Sequence, residues 1–107
     1  MRTVGEWLAR RTPSPPELLR SRIDAALGAG LDDDVVNTER VCLDAAQRVL
    51  THLLGEGRGD RHEAADLLAA DALLTYALEF AADDPQRFDE QATRAMRRFG
   101  HLHQARV

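Results

Sequence analysis

Three times along this chain a residue that can cap a helix with its side-chain oxygen is followed, three positions on, by a glutamate. Thr3-Val4-Gly5-Glu6, Ser14-Pro15-Pro16-Glu17 and Asp60-Arg61-His62-Glu63 all have this form. In such a capping box the two side chains satisfy two otherwise orphaned backbone N–H groups reciprocally. Each box predicts a helix start. The first helix is expected to run to about Arg11, the second to Leu27 before Gly28, and the one opened by Asp60 to about Ala82. Another helix is expected to begin behind Asp32, Asp33 and Asp34, whose charges suit a helix N-terminus, and to run to Leu54 before Gly55. A last one is expected from Asp84-Pro85 to Gly100. No segment alternates apolar and polar residues over strand length, so the predicted class is all-α.

Apolar spacing predicts the buried faces. The second helix offers Leu19, Ile23, Ala26 and Leu27, and the last offers Phe88, Ala92, Ala95, Met96 and Phe99 opposite Arg87, Gln91, Arg94 and Arg98. In the third, Val35, Cys42, Ala45 and Val49 form one seam, widened by Val36, Leu43, Ala46, Leu50 and Leu53. The fourth is expected to be the hub. Leu67, Leu74 and Leu78 make one ridge, and Leu73, Tyr76 and Phe80 another. Ala70, Ala77 and Ala81 lie between them, and only Asp71, Thr75 and Glu79 form a wet strip. With Trp7 and Leu8 of the short first helix covering one end, the expected architecture is a four-helix bundle with an additional N-terminal helix. At 107 residues and 44% apolar content this is one domain, residues 1–107, with 101–107 as a loose tail.

Composition narrows the chemistry. The net charge of −4 argues against a nucleic-acid binder. One cysteine, Cys42, excludes an intrachain disulfide and a four-cysteine zinc site. All fourteen basic residues are arginine, which removes Schiff-base lysines and the phosphate-loop lysine. No apolar run approaches the roughly 18–20 residues that span a bilayer, and the N-terminus is too polar for a secretory signal, so a cytoplasmic location is expected and no membrane partner.

The sharpest anomaly is Asp66, on the line of Ala70, Leu73 and Ala77, with His62 one turn earlier. A His and an Asp at i, i+4 point side by side, a spacing usable for two metal ligands or a carboxylate-oriented imidazole. The plainer account is an ion pair between Asp66 and an arginine of a neighbouring helix. Di-metal carboxylate bundles need several inward glutamates and Glu-x-x-His pairs, and no Glu-x-x-His occurs in the chain. His101-x-His103 falls in the tail, and Cys42 falls on a core seam. Gly55-Glu56-Gly57-Arg58-Gly59 reads as a helix connection, because no strand precedes it and no Lys or Ser/Thr is placed for phosphate.

The run Leu67-Leu68-Ala69-Ala70-Asp71-Ala72-Leu73-Leu74-Thr75-Tyr76-Ala77-Leu78-Glu79-Phe80 resembles the GDALLTLAFE helix of the all-helical trans-isoprenyl diphosphate synthases. That family binds magnesium diphosphate through two DDxxD motifs on other helices. Here Asp32-Asp33-Asp34 is followed by Val35 and Val36, so the motif is not made, and no second copy is present. The resemblance implies a shared way of packing an Ala/Leu helix, and no family assignment follows.

No catalytic constellation emerges. The expected function is a non-enzymatic helical interaction or adaptor module that self-associates as a homodimer, because the third and fourth helices are apolar over more of their circumference than a small bundle covers. The alternative is a small ligand- or metal-binding bundle. Its ligand residues would be His62, Asp66 and Tyr76, and its metal ligands His62, Asp66 and His52. No cofactor is expected. Arg87, Arg94, Arg97, Arg98 and Arg106 offer a surface for an acidic protein partner.

Overall fold

Helix α4, Arg61–Ala81, lies at the centre of the computed structural model, which describes residues 1–56, 61–83 and 92–100. Around it stand α1 (Val4–Ala9), α2 (Glu17–Leu27), α3 (Thr38–Glu56) and α5 (residues 92–100). Among the described residues there is no strand, only an isolated antiparallel bridge between Thr3 and Asp34. The fold is an all-α helical bundle of four longer helices and a short N-terminal one.

The α3–α4 seam is the heart of the core. Cys42, Ala45 and Ala46 on α3 and Ala69, Ala70, Leu73 and Ala77 on α4 are all at most 1% exposed. Small side chains on both helices let the axes approach closely, so dispersion contacts replace the bulk that larger residues would supply. Ile23 and Leu27 of α2 and Ala95 of α5 close this seam. Asp71, Thr75 and Glu79 are exposed, as the helical pattern predicts. The α1 helix covers the C-terminal part of α4. Trp7, 5% exposed, stands edge-on to Tyr76 and Phe80 at 6.4 and 5.5 Å, with the Arg11 guanidinium 4.4 Å from its ring centre.

The helix starts differ in detail from their sequence signatures. At α1, Glu6 N donates to Thr3 Oγ1 (3.1 Å), but the Glu6 carboxylate accepts from Arg2 N (2.9 Å), one residue earlier than a capping box requires. The Thr3 backbone is extended there, and the segment around it is tied to the 33–35 region by Val4 N donating to Asp33 O and Val35 N to Arg2 O. The helix also ends at Ala9, short of Arg11. The Ser14 box does not form. Pro16 takes φ −54°, ψ 151°, an extended conformation that carries the chain away from Ser14 before the helix begins at Glu17. The Asp60 cap lies outside the described residues.

Between α2 and α3 the chain is more structured than a simple stop at Gly28 predicts. Gly28, at φ +52°, turns it into a 3-10 turn, Gly28–Asp32, and a second, Val35–Asn37, leads into α3. Asp34 caps this second turn through Val36 N (3.0 Å), and Asp33 accepts from Asn37 Nδ2 (3.0 Å) and Asp34 N (2.8 Å). These aspartates therefore build the approach to α3 instead of standing at its first turn. Buried Thr38 is satisfied by donating to Val35 O (2.7 Å).

Three apolar assignments are corrected. Val36 is 72% exposed, because it sits in the 3-10 turn before α3, where the α-helical phase does not yet apply. Met96 is 75% exposed, since α5 faces the bundle through Ala95 and Phe99. Leu67 is 54% exposed, so the ridge containing it lacks a covering neighbour at that turn of α4. The expected contributions of Arg87, Phe88, Gln91, Arg106 and the 101–107 tail with its two histidines fall outside the described residues.

Candidate functional site

Arg22, on the flank of the α2 stripe next to Ile23, reaches across to the second turn of α4. There Nη1 donates to Asp66 Oδ1 (2.8 Å), and Nη2 lies 2.6 Å from His62 Nδ1. A guanidinium only donates, so His62 Nδ1 is the acceptor of that bond. The guanidinium thus bridges the two side chains that their i, i+4 spacing sets side by side. Asp66 is paired with an arginine of a neighbouring helix, and its side chain is half-buried at 32% exposure because that turn of α4 lies toward the helix end.

Below this pair opens a cavity of about 380 Å³ between α2, α3 and α4. Arg22 and Asp66 stand on one side of it, and Arg48 and His52 of α3 on the other. Arg48 Nη2 donates to Ala26 O (3.0 Å), satisfying a carbonyl in the last turn of α2, where no residue of the helix can. A second, more polar hollow of about 530 Å³ shares Arg48 and His52 and is bounded by Asp44, Gln47 and Arg98. Arg98 donates to both Asp44 and Gln47 and thereby fastens α5 to α3. Of the arginines expected to receive an acidic partner, Arg98 is engaged within the bundle, whereas Arg94 and Arg97 are exposed.

The candidate residues are therefore only partly brought together. His62 and Asp66 share Arg22, and His52 shares a cavity with Asp66. The cation held between His62 and Asp66 is a guanidinium, and among the described residues no three His, Cys, Asp or Glu side chains converge as a metal site. Tyr76 stands ten residues further along α4, about 15 Å at the α-helical rise. It packs on Trp7, and burial pushes its phenol above the ordinary value, with Glu79 adding to the effect. Arg22 and Arg48 were not legible as site residues. The need of Asp66 for an arginine was, but the choice among those on α2 and α3 depends on how the helices are rotated against each other.

A third feature is apolar. Leu67 and Leu68, 54% and 59% exposed, border a groove of about 620 Å³ with Leu50, Ala64 and Leu74. Cys42 offers no nucleophile, since burial raises its thiol to about 12. Among the described residues no helix is long and apolar enough to cross a membrane. No protein-family model, curated protein or solved structure matches the chain.

Proposed function

We propose that the protein is a non-enzymatic helical interaction module that forms a homodimer through the outer face of α4. The observation that carries this reading is the exposure of Leu67 and Leu68 beside the apolar groove. Covering such leucines stabilises by roughly 25 cal/mol per Å² of apolar surface removed from water.

The occupant that fits is a second copy. Exposed Arg61, Ala64, Leu68 and Asp71 follow one another at three- and four-residue steps, the spacing of a seam between two packed helices. An antiparallel pair that sets Ala64 against the partner's Leu68 brings Arg61 level with the partner's Asp71, and the reverse. It also brings each Leu67 close to its counterpart near the two-fold axis. One register thus satisfies shape and charge together, as a self-complementary interface must.

Light scattering across the micromolar range is expected to give about twice the 11.9 kDa chain mass. Leu68→Glu is expected to return the chain mass with its helical circular dichroism kept. Asp71→Arg is expected to weaken the dimer, and Arg61→Asp with Asp71→Arg to restore it. A wild-type protein of single-chain mass throughout would overturn the proposal. A dimer indifferent to both charge changes would overturn the register.

A further inference from the structure

We propose that the cavity between α2, α3 and α4 is a binding site for a small organic monocarboxylate with a short apolar body. Its two cationic walls are Arg22 and Arg48, each held in place by the fold. Arg22 is oriented by Asp66 and His62, and Arg48 by the carbonyl of Ala26. A guanidinium carries five N–H donors. The bonds described use two of those on Arg22 and one on Arg48, so both retain donors for a ligand. Oriented guanidiniums bind carboxylates well, because the fork is planar and its ordering entropy has already been lost in folding.

Charge selects the ligand class. Both arginine walls are cationic. Among the described lining residues the one carboxylate is Asp66, so the two arginines and Asp66 together leave one net positive charge to be matched beside the His52 imidazole. A monoanion neutralises it, whereas a dianion brings an excess charge up to Asp66. The rest of the described lining is the His52 imidazole and the methyl groups of Ala25, Ala26, Val49 and Ala69, and those methyls suit a hydrocarbon body. A volume of about 380 Å³ lies at the small end of ligand pockets.

The probes are sodium benzoate for head group and body, sodium acetate for head group alone, and benzylamine hydrochloride for the opposite charge, all at ionic strength matched with sodium chloride. Amide chemical shifts in a ¹⁵N correlation spectrum report the site. Benzoate is expected to shift Ala25, Ala26, Val49 and Ala69 saturably, acetate to bind the same residues at least tenfold more weakly, and benzylamine to leave them in place. Arg48→Gln is expected to weaken benzoate at least tenfold. Ala25→Leu alters none of these hydrogen bonds and fills the hollow, so it is expected to reduce benzoate affinity even if loss of the Arg48–Ala26 bond unfolds the first variant. Shifts that do not saturate, that follow exposed Arg94 and Arg97 instead, that appear equally with benzylamine, or that survive Ala25→Leu would overturn the proposal. These outcomes are independent of the oligomeric state.

Discussion

The Arg22 guanidinium of α2 and the Asp66 carboxylate of α4 meet at 2.8 Å, with 33% and 32% of their side chains exposed. That degree of exposure sets the scale of the interaction. A fully buried pair that loses one partner typically costs about 3–5 kcal/mol, and a solvated one at most about 1 kcal/mol. Asp66→Ala is expected between these limits, at about 1–2 kcal/mol in urea unfolding. Asp66→Asn, which keeps an acceptor for Arg22, is expected to cost less. Equal losses for the two variants would mean that the bond to Arg22 contributes nothing beyond its charge.

Cys42 is 0% exposed between α3 and α4, and burial raises its thiol from 9.0 to about 12. Two results are expected. A thiol reagent at mildly alkaline pH should label it only through opening of the bundle, so added urea accelerates labelling steeply. A raised folded-state value also means that the folded protein holds its proton more tightly than the unfolded chain. The stability contributed is complete below about pH 9 and is lost as pH rises toward about 12. Cys42→Ala is expected to flatten that alkaline limb in urea titrations, and an unchanged limb would assign it to other groups.

At the entry to α3 the sign is reversed. Hydrogen bonds from Asn37 and from the Asp34 backbone, together with the charge of Arg40, hold the Asp33 carboxyl below its usual 3.8. The ionised form is the one favoured by folding, so the contribution is present above pH 3.8 and disappears as pH falls through the lower folded value. Asn37→Ala removes the largest cause. Its stability deficit is expected to be visible at neutral pH and to close on acidification. A deficit constant with pH would place the role of Asn37 in packing and not in the carboxylate.

Legibility in the sequence followed the range of the interactions involved. Helix existence and the Asp71-Thr75-Glu79 wet strip depend on residues within two turns, and both were readable. So was the covering role of Trp7, because a tryptophan on a short helix has few places to be buried. The 3-10 turns were not readable, since they arise from long-range contacts: Gly30 against Val41, and Arg2 and Val4 bonded to the 33–35 segment. Those turns displaced Val36 from the core and made Asp33 and Asp34 turn-builders. The Asp66 site was half legible for the same reason. A carboxylate on an apolar line requires a partner, but Arg22 is separated from it by 44 positions and is selected by the rotation of α2 against α4.

Gly30 and Val41 provide the most direct test of that turn. A Cβ built on Gly30 lies 2.7 Å from Val41 Cγ1, well inside van der Waals contact. Val41 is 6% exposed, and its branched side chain has essentially one allowed rotamer in a helix, so it cannot swing aside. Gly30→Ala is therefore expected to destabilise by about 1–3 kcal/mol through overpacking. Val41→Ala removes the obstructing methyl and leaves space in its place, at a cost of about 1–2 kcal/mol. In that background the sign for residue 30 should change. The new methyl fills part of the space, and the unfolded chain loses the extra freedom of glycine, a difference of about 0.4–1 kcal/mol. Urea unfolding of the two single variants and the double variant is expected to show the double more stable than Val41→Ala alone. Additive losses would mean that the turn moves away from α3 when residue 30 gains a side chain, and that its close approach is not required by the fold.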